Sequence, residues 1–181
     1  MSSYDVPFSS QYTDIGHHDW RARGCGIASL HMVMAYEHAH DAYNQLPALD
    51  TLLERGTALG AYLEGVGWTH AGLVRLAQDF GYTGYNADFG PKSAAPKTVE
   101  EAWALLATEL DRGPVLASVY AGLDPQRGGG HIVVVTGITD GVVSFCDPEE
   151  RTAHEGLRAL QLSGFLRAFK NRFIVIRPGV R

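Results

Sequence analysis

The sequence is poor in several features that would point to a function. It has two cysteines among 181 residues, Cys25 and Cys146. They stand far apart and match no paired zinc-ligand or redox spacing, so each is expected as a free thiol. Charge is sparse too, at 15 Lys and Arg against 20 Asp and Glu for a net of −5. No basic cluster is dense enough to track a phosphate backbone, which argues against a nucleic-acid partner. No apolar run approaches the roughly 18 residues of a membrane span. The N-terminal "MSSYDVPFSSQYTD" lacks the basic start and apolar core of a signal peptide. A cytoplasmic protein with no membrane partner is the expectation. Internal repeats and low-complexity segments are also missing, and no cofactor is expected.

What the chain does have is apolar content, 45% of its residues. At this length that is enough for one sizeable core, so a single domain over 1–181 is expected. Residues 1–24 read as an irregular entry segment with a short strand at Val6 to Ser9. From Ile27 to Tyr36 apolar residues run almost all round the helical wheel, so this helix should be buried on every side. Further helices are expected from Pro47 to Arg55, stopped by Gly56, and from His70 to Phe80, capped by Thr69. Another should start at the Thr98 and Glu101 capping-box pattern and end at Gly113. "YTGYNADF" reads as extended, and residues 90–97 as a loop. After Gly113 the pattern changes to Val- and Ile-rich strands, "PVLASVY", "HIVVVTGI" and "GVVSFCD", then a short helix from Ser163 to Lys170 and a last strand, "RFIVIR". Helices first and an antiparallel sheet afterwards indicate an α+β fold.

Cys25 opens the buried helix, within "RGCGIASLHMVMAYE". A thiol in a first helical turn feels the positive end of the helix dipole and unpaired backbone N–H groups, which favour thiolate. Gly24 and Gly26 are expected to leave the approach to the sulfur open. His131 follows three glycines and starts a Val-rich strand, where a rigid sheet emerges from a flexible loop.

The next hairpin offers His131 a partner. A two-residue loop at Asp140 and Gly141 would set Asp147 opposite Val134, on the face away from His131. A three-residue loop from Thr139 to Gly141 instead sets Asp147 opposite Val133, on the face of His131 and diagonal to it at roughly 7 Å between backbones. The expectation is therefore the three-residue loop, with Asp147 orienting the imidazole. Gln11 is the remaining candidate, because a thiol attacking a carbonyl needs donors for the developing oxyanion. The Cys25 N–H would supply one and a glutamine amide the other.

Together "VPFSSQ", "GCGIASLHMVMAYE", "GGGHIVVVTGI" and "GVVSFCDPEE" resemble the C39-like branch of the papain-like cysteine peptidases. The resemblance spans nearly the whole chain and keeps the order Gln, Cys, His, Asp. It implies a papain-like fold, with Gln11 in the oxyanion hole, Cys25 as nucleophile, His131 as base and Asp147 as its orienting partner. "GWTHAGLVRLAQDFGY" is similar to the helix such domains carry between the nucleophile helix and the sheet. The 13 residues between Gln11 and Cys25 include "GHHDW", an interval longer than in many relatives and expected as an extra loop over the site. Relatives that mature double-glycine leader peptides are usually joined to an ABC transporter. None is present in this sequence, so a stand-alone domain is expected and leader processing is not implied.

The expected activity is a thiol-dependent hydrolase of peptide or amide bonds. The same residues also fit an acyltransferase of transglutaminase-like chemistry, if an amine replaces water, and a peptide-binding module of the same fold. A metal site on His17, His18 and Asp19, or on His38, His40 and Asp41, lacks a convincing ligand set. Tyr12, Trp20, Trp68 and Tyr120 are candidate cleft-lining aromatics. The oligomeric state is left open.

Overall fold

The Val- and Ile-rich segments form most of a six-stranded antiparallel sheet. In the computed structural model, which describes residues 3–41 and 44–179, its order is β3-β8-β4-β5-β6-β7. These strands are β3 (Tyr82–Asp88), β4 (Val115–Val119), β5 (His131–Thr139), β6 (Val142–Cys146), β7 (Leu157–Gln161) and β8 (Phe169–Pro178). A separate hairpin pairs β1 (Tyr62–Leu63) with β2 (Gly67–Trp68). The helices are α1 (Cys25–His40), α2 (Leu49–Ala58), α3 (His70–Asp79), α4 (Val99–Leu110), α5 (Ala153–Gly156) and α6 (Leu162–Ala168). Residues 1–2 of the entry segment lie outside the described residues.

Apolar cover lies on both faces of the sheet, which is why its middle strands read as unbroken apolar runs. Ile132 and Val134 of β5 join Leu116, Ile174 and Ile176 in one core cluster with residues of α1, α2 and α3. Val133 and Val135 point the other way, into a cluster with Phe145, Phe173, Phe165 of α6, and Trp103 and Leu106 of α4. Helix α1 lies inside the first cluster. Ile27, Leu30, Met32, Val33 and Met34 are fully buried, as expected of a helix without a polar face. Among the described residues no helix is long and apolar enough to cross a membrane.

Thr69 caps α3 by accepting from Gly72 N, and Thr98 and Glu101 make a complete capping box on α4. Four expectations need correction. Val6 to Ser9 is extended but belongs to no strand; the segment is tied down by Tyr4 N donating to Thr136 O and Gln11 N donating to Pro148 O. Helix α2 runs through Gly56 instead of stopping there. That glycine is a packing residue, since a Cβ would sit 2.9 Å from Trp68 and 3.0 Å from Leu76. The helix expected up to Lys170 ends at Ala168, so Lys170 belongs to β8.

The fourth concerns the hairpin loop. Thr139 pairs with Val142, so the loop is the two residues Asp140 and Gly141, with φ of 51° and 75°. Positive φ at both positions is what a type I′ turn requires. The register then shifts: Gly137 pairs with Ser144 but Val135 with Phe145, leaving Thr136 as an extra residue in β5. The bulge does what a three-residue loop was expected to do. Val134 pairs with Cys146, so the next residue, Asp147, continues toward Val133 on the face of His131.

Gly26 tests how tightly α1 is seated, because a Cβ there would lie 2.8 Å from Cβ and Cγ of Trp68. Gly26→Ala is expected to destabilise the fold by about 1–3 kcal/mol, as overpacking does. Urea denaturation checks this, and an unchanged midpoint would contradict the packing.

Candidate functional site

Cys25 is the first residue of α1, with Gly24 at the N-cap and no side chain capping the end. The first-turn N–H groups therefore have no intrahelical acceptor. The two flanking glycines do not keep an approach open, contrary to the sequence expectation. A Cβ on Gly24 would run into Ile15, Trp20 O and Gln11, and one on Gly26 would meet Trp68. Both are small because the helix start is wedged between the entry segment and β2. Sequence inspection also passed over Ser29. One turn along from Cys25, its hydroxyl donates to Ile132 O at 2.9 Å, buried, and this fixes the end of α1 against the strand that carries His131.

His131 is 6% exposed and Asp147 3%. His131 Nε2 and Asp147 Oδ1 are 2.7 Å apart, leaving Nδ1 as the other ring nitrogen. Burial alone pulls the imidazole pKa down. The hydrogen bond and charge of Asp147, together with the nearby Cys25, outweigh it and hold the group above its ordinary value. Burial likewise pushes the Asp147 carboxyl up, but the bond to His131, the Glu149 N–H and the Arg158 charge bring it below the usual carboxylate range. Arg158 Nη1 lies 2.9 Å from Asp147 Oδ2. It is a second residue that sequence reading missed, because β7 was not foreseen. The pairing of Phe145 with Arg158 delivers it.

Gln11 is 2% exposed. Its Nε2 donates to Arg21 O at 2.9 Å, while Oε1 is buried with no partner among the described residues. Arg21 lies in a 3-10 helix over His18–Arg23. The long interval before Cys25 is therefore folded in part into a turn that holds the glutamine amide, rather than a free loop across the site.

Gln11, Cys25 and His131 line one cleft of about 690 Å³. Tyr62, Val66 and Trp68 of the β1–β2 hairpin supply an apolar lining, and His70, Asp88, Ser118, Lys170 and Arg172 a polar one. Of the four aromatics proposed from sequence, only Trp68 lines this cleft. Tyr12 lies under Arg151 and Tyr120 under Lys170. Trp20 packs on Tyr62 and Trp68 and lines a separate hollow that also holds His17. His70, the first residue of α3, also lines the cleft, and its Nε2 meets Ser118 Oγ at 2.7 Å. Burial first, then Arg172, lowers its pKa to about 4, so it is neutral.

Three of the four histidines weighed for a metal have other partners: His17 meets Glu54, His38 meets Asn44 O and His40 meets Tyr36 O. Among the described residues one group has metal-ligating atoms mutually within 4.8 Å: His131, Asp147 and Glu149. An ion there would compete with the bond between His131 and Asp147.

The chain also resembles known proteins. The sequence profile of the Peptidase_C39 like family matches residues 3–177. No curated protein matches it. The fold is similar to that of a double glycine motif protease from an AMS/PCAT transporter, solved in complex with the leader peptide. Identity is 19% and the TM-score 0.63, over 98% of this chain and 94% of the other. A protein assigned as a C39-like peptidase in Bacillus anthracis gives 18% and 0.64, over 98% and 96%. The peptidase domain of Streptococcus ComA, a bifunctional ABC transporter of a quorum-sensing pathway, gives 19% and 0.59, over 87% and 93%. At these identities the likeness is one of fold.

Two measurements check this geometry. Cys146 is fully buried, and burial, with the charges of Asp5 and Asp147, pushes its thiol up to about 12. Iodoacetamide should therefore label one thiol per native chain, Cys25, and two once the chain is unfolded. Native labelling of Cys146 would contradict the burial. Because His131 binds its proton more tightly folded than unfolded, its pair with Asp147 stabilises the fold fully below about pH 6.5. That contribution is lost as pH rises through the raised folded value. The Asp147 contribution is present above about pH 3.9 and lost as pH falls through its lowered one. By NMR the His131 ring should stay charged at pH values where exposed histidines have lost their proton, and Asp147→Asn should lower its titration point.

Proposed function

The chain belongs to the Peptidase_C39 like family, and on that premise we propose that it is a thiol-dependent hydrolase of peptide or amide bonds. The observation that carries this reading is the gathering of three groups at one place: Cys25 and His131 line the same cleft, and the buried carboxylate of Asp147 lies 2.7 Å from His131 Nε2. A binding module needs none of these three groups. The bound leader peptide of the double glycine motif protease with the same fold favours a peptide as the substrate.

In the proposed mechanism the Cys25 thiol gives its proton to His131, the sulfur attacks the substrate carbonyl carbon, and the carbonyl electrons move onto oxygen. The Cys25 N–H, free at the start of α1, and the second N–H of the Gln11 amide stabilise that oxyanion. The first N–H is held by Arg21 O, which requires the amide nitrogen rather than the oxygen on that side and so sets the orientation. When the tetrahedral intermediate collapses, the C–N bond breaks and the imidazolium of His131 gives its proton to the leaving amine. Neutral His131 then takes a proton from water, whose oxygen attacks the thioester. Collapse of this second tetrahedral intermediate breaks the C–S bond, the acid product leaves, and the proton on His131 returns to sulfur to restore the thiol. Asp147 keeps Nε2 as a donor and stabilises the imidazolium. Arg158 holds the second carboxylate oxygen and fixes the plane of the group.

Screening peptide and amide libraries against wild type and Cys25→Ala tests the reading. Turnover should vanish in the variant, and turnover retained there would end this mechanism. Gln11→Ala is expected to lower kcat about 10²- to 10³-fold, the usual loss for one oxyanion donor, with a much smaller change in KM.

A further inference from the structure

We propose that the cleft contains a carboxylate subsite built on Lys170, so that preferred substrates carry an acidic side chain or a free C-terminus close to the scissile bond. The inference deepens the hydrolase reading and rests on it for the chemical step, but the recognition depends on different residues.

Three Lys and Arg side chains line the cleft, and two of them are already matched. Arg23 pairs with Glu64 at 3.3 Å and Arg172 with Asp88 at 2.9 Å. Lys170 lines the same cleft with no carboxylate at ion-pair distance among the described residues. Its ammonium donates to Gly129 O at 2.7 Å and lies 4.9 Å from the ring of Tyr120, so two of its three N–H donors are left for other acceptors. The other acid of the cleft, Glu149, groups with His131 and Asp147.

Ile176 and Ile174 of β8 face the α1 core, and Arg172 and Lys170 line the cleft at the start of the strand, where Asn171 has a φ of 57° and the register against β4 shifts between Phe173 and Phe169. Burial first, then the neighbouring Arg172 charge, lowers the Lys170 pKa. A bound anion would relieve both effects, and half-buried cations are commonly matched this way. His70, neutral against Ser118, adds hydrogen-bonding capacity to this wall without adding negative charge. Gly129 lies two residues before His131, so Lys170 is tethered beside the reacting groups. An acid held there sits near the bond being cleaved. A charge-assisted contact of this kind corresponds to about tenfold to a hundredfold in kcat/KM.

The test uses matched peptides with Glu or Gln beside the cleaved bond, each made as a C-terminal acid and as an amide. Wild type should prefer one of the acids by about tenfold or more, chiefly through KM, and the preferred pair identifies side chain or terminus as the source. Lys170→Met should remove the preference, Lys170→Arg should retain it, and Lys170→Glu should turn it toward peptides bearing Lys at that position. An acid-to-neutral ratio that is the same in wild type, Lys170→Met and Lys170→Glu overturns the proposal. Calorimetry of the same peptides with the Cys25→Ala protein separates this failure from failure of the hydrolase reading. Tighter binding of the acids that is lost in Cys25→Ala/Lys170→Met supports the subsite even where no peptide is turned over. Equal binding of acids and neutral peptides sinks it.

Discussion

His131 and Asp147 are 2.7 Å apart, almost wholly out of water, and much of the site is arranged around that contact. A buried imidazolium or carboxylate alone would neutralise itself, since removing a single charge from water costs far more than a surface contact returns. Paired, and with Arg158 and the Glu149 N–H taking up the remaining carboxylate capacity, both stay charged. The pairing itself depends on one extra residue. Without the Thr136 bulge, the two-residue turn at Asp140 and Gly141 would put Asp147 on the opposite face of β6. The bulge is also secured from outside, because the Thr136 carbonyl accepts Tyr4 N from the entry segment.

The same entry segment ties the cysteine to this pair. Gln11 N donates to Pro148 O, directly after Asp147, and the Gln11 side chain abuts the position where a Gly24 Cβ would be. Ser29 joins α1 to Ile132, directly after His131. Thus α1, β5, the end of β6 and the entry segment constrain one another through short hydrogen bonds and close glycine contacts. The proposed reacting groups sit at the ends of packed elements, with α1 buried along most of its length. The cleft lining is mixed, with aromatic and aliphatic groups on the β1–β2 hairpin and ionic groups at the ends of β3 and β8.

Part of this was legible in the sequence. An apolar run with no polar face forces α1 into the core. Capping residues fix the starts of α3 and α4, and Val-rich runs fix β4, β5 and β6. These are short-range signals written into neighbouring residues. The Asp147 register came out right from a wrong loop: Asp-Gly does make the two-residue turn its residues favour, and the offset arises at Thr136, where nothing local marks an extra residue. Glycines misled in the same way. Gly24, Gly26 and Gly56 read as openings or stops because local sequence records the missing side chain, not the Ile15, Trp68 or Leu76 that fills its space.

The sequence by itself determined five of the six α-helices, the strands β3, β4, β5, β6 and β8, and the nomination of Cys25, His131 and Asp147, because helix dipole, capping and side-chain alternation act over a few residues; Gln11 was nominated by the need for an oxyanion donor and by family resemblance. Only the tertiary structure decided what surrounds them. It placed Arg158 on Asp147, Arg21 O on Gln11, Ser29 on Ile132, and Lys170 in the cleft with no carboxylate at ion-pair distance among the described residues. Each of these contacts except that of Gln11 with Arg21 joins segments on different strands or helices, and whether a buried charge is matched depends on which groups packing brings within a few ångströms.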